Sequence, residues 1–267
     1  MSQLLKEYIE NVLIERGETG FIDNSCRYES AVIKTLKSLG VAGRIKRAAC
    51  SDSLRPDADI KIDGDIHYVE IKSNSRAQMG GGSIGYSSID QRFFAAGHNR
   101  ELSDTIAVLL NDINDSSLHR GLSELMDYLS RISRLEVPIT DVPMSGFTPK
   151  AWERAVKRGM LLPINRMLEG NTTVISSHYA RKQTYYVQIG GAGFFRFGEA
   201  NPADLPIPVL NGKVQLEVRV AKSGNPTAGL RVQARLLAKN ASPFTLDDPE
   251  SIKKMLGSRL PQKDMRK

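Results

Sequence analysis

Residues 55–72 read RPDADIKIDGDIHYVEIK, a stretch that predicts one β-hairpin with acidic side chains grouped on its faces. Side chains two positions apart on a strand point to the same face of a sheet. Asp57 and Asp59 therefore share a face of the first strand, and Glu70 and Lys72 share a face of the second. Whether the two pairs meet on one face of the hairpin depends on the turn between the strands.

That turn sets the register of the hairpin. A two-residue turn at positions 63–64, an Asp-Gly pair, places Asp57 opposite Glu70, whereas a four-residue loop places Asp59 opposite Glu70. Both registers bring the carboxylates and Lys72 to one face. A three-residue loop would separate them, because a slip of one residue turns every side chain of a strand to the other face.

Carboxylates crowded on one face have a chemical use. They repel one another unless a cation lies between them, and hard oxygen ligands favour Mg²⁺ over zinc. A lysine beside such a site can stabilise a developing oxyanion, or orient or deprotonate an attacking water. The hairpin therefore predicts a magnesium site, and the alternative is a solvated sheet edge with alternating charges.

The order of these residues is also that of a known motif. Pro56-Asp57-x-Asp59 followed by Glu70-x-Lys72 resembles the signature of the PD-(D/E)xK nuclease superfamily, which includes many type II restriction endonucleases. The resemblance implies that one aspartate and Glu70 bind Mg²⁺, which Mn²⁺ can replace, and that Lys72 assists hydrolysis. Asp59 is preferred, because family members usually run from the ligand directly into an apolar strand, and Asp57 is the alternative ligand.

An early helix is predicted over residues 26–40, where apolar residues recur at helical spacing until Gly40 ends the pattern. Glu29 lies one turn before this apolar stripe. Members of the family often carry a glutamate on an early helix that completes the metal shell, so the resemblance implies a catalytic role for Glu29. The alternative is a first-turn acid that the helix dipole stabilises.

The composition fits a globular protein. The chain has 267 residues, 40% of them hydrophobic and 25% charged, and no apolar run long enough to span a bilayer. Residues 1–10 read as an amphipathic helix rather than a signal peptide. With only two cysteines, Cys26 and Cys50, we expect a reducing, cytoplasmic compartment and no disulfide framework or zinc site. A net charge of +7 suits a polyanionic partner.

Hydrophobic patterns predict an α/β fold with a C-terminal strand-rich extension. The resemblance implies that the core is restriction-endonuclease-like, with helices that flank a central mixed β-sheet. We expect residues 1–175 to form the nuclease core with a helical insertion, 176–250 to form a DNA-contacting extension of the same domain, and 251–267 to form a basic tail. The predicted elements are a buried strand at 106–110, a helix at 117–134, a helix at 149–168 that is interrupted near Pro163, and strands at 184–189, 193–197, 213–221 and 230–238.

Two segments are candidates for DNA contact. The first is a loop at 76–86, which carries Arg76 and whose three consecutive glycines permit close backbone approach. Restriction-type members of the family often place a glutamine just after the x-Lys strand, so the resemblance implies that Gln78 contacts DNA. The second is a ribbon made by the strands at 213–221 and 230–238, with one apolar and one basic face. Arginine suits guanine edges and glutamine suits adenine edges in the major groove. The alternatives are a mobile loop and a solvated sheet face. The candidates on the ribbon are Gln215, Arg219, Arg231, Gln233 and Arg235.

These features predict a Mg²⁺-dependent endodeoxyribonuclease, first of all a sequence-specific type II restriction enzyme. The alternatives are a structure-selective nuclease, such as a resolvase or a phage or repair enzyme, and a DNA-binding module without activity. The implied partners are double-stranded DNA, a second copy of the chain and a cognate DNA methyltransferase, with no membrane. The apolar helix at 117–134 is a candidate dimer interface, although such a stripe more often packs into its own core.

Overall fold

A computed structural model of the protein describes residues 24–45, 56–74, 78–97, 100–134, 148–221 and 229–261. The helices are α1 Asn24–Ser38, α2 Arg100–Ile113, α3 Ser116–Ser133, α4 Pro149–Lys157, α5 Thr173–Arg181 and α6 Pro249–Leu256, which continues into a 3₁₀ turn, Gly257–Arg259. The strands are β1 Ala58–Ile62, β2 Asp65–Lys72, β3 Gln78–Ser87, β4 Arg92–Ala96, β5 Arg166–Gly170, β6 Thr184–Ile189, β7 Gly193–Arg196, β8 Gly212–Ala221 and β9 Gly229–Ala238.

The chain forms two compact units. The first draws on the chain up to residue 77, on 179–212 and on 238 onward, and the second consists of 78–178 and 213–237. Each unit has its own sheet. The strands predicted as one C-terminal extension are divided between them: β6 and β7 belong to the first sheet, and β8 and β9 belong to the second.

The first unit contains the mixed sheet that the sequence predicts, with strand order β1-β2-β6-β7. The β1–β2 and β6–β7 pairs are antiparallel and the β2–β6 pair is parallel. The predicted stripe of α1 packs against β1 and β2, and Val32 and Leu36 are buried in a core with Ile60 and Val69. The fold is therefore α/β, with a mixed sheet and helices.

The hairpin has the two-residue turn. Asp63 and Gly64 both have positive φ angles, 53° and 96°, as a type I′ turn requires. Ala58 pairs with Val69, and residues 41–43 run antiparallel along the outer side of β1.

The second unit is a five-stranded sheet with helix α2 packed on its apolar face. Its strand order is β4-β3-β9-β8-β5, so β8 and β9 form the predicted ribbon. The apolar residues of both strands are buried and their polar residues alternate with them. Helix α2 crosses the apolar face so closely that a Cβ at Gly82 would lie 3.0–3.1 Å from atoms of Ser103 and Ile106.

Two local predictions are wrong. Residues 106–110 lie inside α2 and not in a strand: Ile106, Leu109 and Leu110 are buried while Val108 is 47% exposed, which is the period of a helix. The glycine-rich segment predicted as a loop is largely β3, which pairs with β4 and β9.

Other predictions hold in part. The predicted helix at 149–168 ends at Lys157, and its last three residues are the start of β5. The predicted basic tail begins with an ordered helix, α6, which Asp248 caps and which buries Ile252, Met255 and Leu256. Residues 1–10 and 262–267 lie outside the described residues.

The predicted helix at 117–134 is α3, and its stripe is already buried within the chain, at Leu118, Leu122, Leu125 and Leu129. It is therefore not an open apolar face for a dimer. Cys26 is disulfide-bonded, which the expectation of a reducing compartment did not foresee, and Cys50 lies outside the described residues. In the described part of the chain, no helix has the length and apolar character needed to span a membrane.

Candidate functional site

The start of β1 and the end of β2 bring two carboxylates together. With Ala58 paired to Val69, the next position along the hairpin sets Asp57 opposite Glu70. The Asp57 carboxylate accepts a hydrogen bond from the backbone N–H of Ile71, at 2.7 Å. The predicted parity of the hairpin is thereby confirmed for Asp57, whose side chain turns toward the end of β2.

Glu70 is held by two donors at the same oxygen. The ammonium Nζ of Lys72 lies 2.6 Å from Glu70 Oε1, and the hydroxyl of Tyr179 donates to Oε1 at 3.0 Å. The side chains of Lys72 and Glu70 are only 13% and 12% exposed. A buried ion pair with an added hydrogen bond fixes this carboxylate in one orientation.

The acidic groups interact strongly. Burial and the nearby Glu70 carboxylate raise the pKa of Asp57 to about 7, against the attraction of Lys72. Burial by itself would lower the pKa of Lys72, but Glu70 and Asp57 outweigh it and hold the pKa above its usual value. Lys72 is therefore an ammonium ion at neutral pH, and in this arrangement it is a cation rather than a base.

Glu29 joins this group from α1. It is buried, with 7% of its surface exposed, and its charge raises the pKa of both Asp57 and Lys72. Helix α1 packs its apolar stripe on β1 and β2, which brings Glu29 near the end of the hairpin. The sequence-based expectation that Glu29 can reach the site agrees with this placement.

Asp59, the preferred metal ligand in the sequence analysis, has a different set of partners. Its two carboxylate oxygens accept hydrogen bonds from the backbone N–H groups of Arg44 and Ile45, at 2.7 and 3.0 Å. Gly43 permits this contact, because a Cβ there would lie 2.6 Å from the Asp59 carboxyl carbon. Asp59 thus fixes the segment beside β1, and the geometry favours Asp57, the alternative ligand.

Tyr179 is the site residue that sequence reasoning missed. It lies on α5, whose buried residues Ile175, His178 and Tyr179 follow helical spacing. Its ring stacks on Phe197, with centroids 4.3 Å apart and planes 9° apart. The apolar spacing at 175 and 179 could have predicted the helix, but no local pattern connects Tyr179 with Glu70, 109 residues earlier.

The group fits an open Mg²⁺ site better than a closed metal cage. Among the residues that the structure describes, no three His, Cys, Asp or Glu side chains are arranged to hold a metal ion. Asp57 and Glu70 provide two carboxylates. Burial first, and the Glu70 charge second, raise the pKa of Asp57, and a bound cation would offset both effects. Mg²⁺ commonly binds through one or two carboxylates and retains several waters.

The polar face of the β8–β9 ribbon carries the predicted DNA contacts. Arg219 and Arg235 both bind Glu217, and the side chain of Gln78 on β3 donates to that of Gln233 at 2.9 Å. Arg231 is exposed and Gln215 half-buried on the same face, whereas Arg76 lies outside the described residues. The face is less basic than the sequence suggests, because Glu217 neutralises part of its charge.

In comparisons with known proteins, the chain matched no family model, no curated protein and no solved structure.

Proposed function

We propose that the protein is a Mg²⁺-dependent endodeoxyribonuclease. The observation that carries the proposal is the convergence of Asp57, Glu70 and Lys72 at one end of a hairpin, where the carboxylates crowd one another around a buried ammonium ion. Glu29 adds a third negative charge from α1. Such a group suits binding of a hard cation beside a phosphodiester.

Each residue has a role in the proposed reaction. Asp57 and Glu70 bind the cation, and Glu29 belongs to the outer part of the metal shell. When bound, Mg²⁺ supplies Lewis acidity to the phosphodiester and the attacking water. Lys72, as a buried ammonium ion, stabilises the negative charge that develops on the phosphoryl oxygens.

The finer proposal is a sequence-specific restriction enzyme that acts on double-stranded DNA. The polar β8–β9 face supports it, because its arginine and glutamine side chains can contact base edges in the major groove. A homodimer would supply one site for each strand. A cognate DNA methyltransferase is the partner implied for such an enzyme.

A DNA-binding module without activity is the second candidate. It is favoured by the engagement of Glu70 Oε1 with Lys72 and Tyr179, an arrangement that is stable without a metal. The two proposals differ in one respect only, because both expect DNA binding and only the first expects strand cleavage.

Supercoiled plasmid incubated with the protein and Mg²⁺ distinguishes them. We expect cleavage that EDTA abolishes, and binding without cleavage in Ca²⁺. D57A, E70A and K72A should each lose nearly all activity, whereas D65A, which removes an exposed carboxylate of the same hairpin, should retain it. Discrete bands would indicate sequence specificity, smears would indicate none, and nicking of branched DNA alone would indicate a resolvase. Binding without any cleavage would leave the inactive module, and full activity of E70A would refute the site.

A further inference from the structure

We infer that Tyr179 is a positioning residue for the cation site, an inference that rests on the proposed function. Its hydroxyl donates to Glu70 Oε1, the same oxygen that binds Lys72 Nζ. With two donors on Oε1, the other carboxylate oxygen, Oε2, is the one that Glu70 presents to a cation. Tyr179 thus fixes the orientation of the ligand without touching the reacting atoms.

The surroundings of Tyr179 are those of a rigid support. The residue is 3% exposed, and its ring stacks on that of Phe197, the residue that follows β7. Because the Tyr179 hydroxyl is buried, water does not compete for it, and the bond to Glu70 is maintained in the folded protein. Hydrogen-bond partners of metal-binding groups orient those groups, and their removal commonly weakens metal affinity or activity by about 10–100-fold.

The chain offers a matched control for removing this hydroxyl. Tyr186 is also a buried tyrosine of the first unit, and its hydroxyl donates to Asn201 and accepts from the N–H of Ala203. Y179F and Y186F make the same chemical change and keep both rings. Only Y179F removes a bond to Glu70, so a general loss of packing or stability affects both variants, and a loss of ligand orientation affects one.

The experiment measures Mn²⁺ binding by calorimetry, the Mg²⁺ concentration at half-maximal plasmid cleavage, DNA affinity in Ca²⁺ and the melting temperature for the wild type and both variants. For Y179F we expect at least about tenfold weaker Mn²⁺ binding and an equal rise in the half-saturating Mg²⁺ concentration, with recovery of most activity at saturating metal. Y186F should keep the wild-type metal dependence, even where its melting temperature falls.

The outcomes separate this inference from the proposed function. If the wild type is active and Y179F has the same metal dependence, the positioning role is overturned and the proposed function is not. Equal losses of metal affinity in Y179F and Y186F would also overturn it, because they would trace to stability. A wild type that neither binds Mn²⁺ nor cleaves DNA would overturn the proposed function and this inference together.

Discussion

Replacing Asp57 by asparagine should stabilise the protein at alkaline pH while it abolishes cleavage. Burial and Glu70 raise the pKa of Asp57 from 3.8 to about 7 in the folded protein. Asparagine stands in for the protonated acid, since its Oδ1 can still accept the hydrogen bond from the N–H of Ile71. The variant therefore keeps the contact and removes the buried negative charge.

The magnitude follows from the difference in pKa. A group whose pKa is higher in the folded than in the unfolded state contributes most to stability below about pH 4, where it is protonated in both states. Between pH 4 and 7 the unfolded chain releases this proton first, so the free energy of unfolding falls as the pH rises. One pKa unit corresponds to about 1.4 kcal/mol. Through Asp57, the free energy of unfolding of the wild type should therefore fall by roughly 2 kcal/mol by pH 5 and by roughly 4 kcal/mol by pH 8.

We therefore expect D57N to exceed the wild type in stability by up to roughly 4 kcal/mol at pH 8 and by about half as much at pH 5. Hydrogen exchange of the β1 and β2 amides, with urea unfolding followed by circular dichroism, measures this difference. Tryptophan fluorescence is unsuitable, because the single tryptophan, Trp152, belongs to the second unit.

Asp59 provides the control, two residues away on the same strand. Asparagine offers one acceptor oxygen where the carboxylate accepts from two backbone N–H groups, at Arg44 and Ile45. D59N should therefore be less stable than the wild type at both pH values, by about 1.5–3 kcal/mol. A D57N variant that is less stable than the wild type at pH 8, or a stability gain that does not grow with pH, would refute the raised pKa of Asp57 and the burial and charge crowding given as its causes.

Three further predictions concern the cation, DNA and assembly. Mg²⁺ should raise the melting temperature of the wild type and not that of D57N. Mg²⁺ should bind the wild type more weakly below pH 7, because a proton competes for the Asp57 carboxylate. Equal stabilisation of both proteins by Mg²⁺ would contradict this. E217Q should tighten DNA binding, since Glu217 neutralises Arg219 and Arg235. R231A should weaken the free energy of binding to a preferred duplex by about 1–3 kcal/mol if Arg231 contacts guanine. Binding isotherms on specific and random duplexes check both variants. Sedimentation on a specific duplex should show a dimer, and a monomer that cuts both strands together would contradict this.

The sequence predicts the hairpin well because every signal for it is local. The alternation of side chains and the Asp-Gly turn lie within 18 residues, and the register follows from them. The same holds for α1 and α3, whose apolar stripes span several turns. The short apolar run inside α2 is ambiguous by itself, because a five-residue run fits a buried strand as well as one side of a buried helix.

The remaining errors come from contacts between distant parts of the chain. The glycine-rich segment becomes β3 because β4 and β9 pair with it on its two sides and α2 needs its small residues for close approach. The split of the C-terminal strands between two sheets also depends on partners, β2 for β6 and β3 for β9, more than 100 residues earlier in the chain. Local patterns cannot choose among such partners.

Asp57 and Asp59 show where local reasoning ends within the site itself. Strand parity treats them alike, and the apolar residues that follow Asp59 favour it as the ligand. Its carboxylate is instead used by backbone N–H groups at 44 and 45, a structural role that stabilises the fold. Asp57 lies where its charge opposes folding, and a residue that a protein keeps at a cost to stability is the better candidate for function. Opposite stability changes in D57N and D59N would show this division of roles directly.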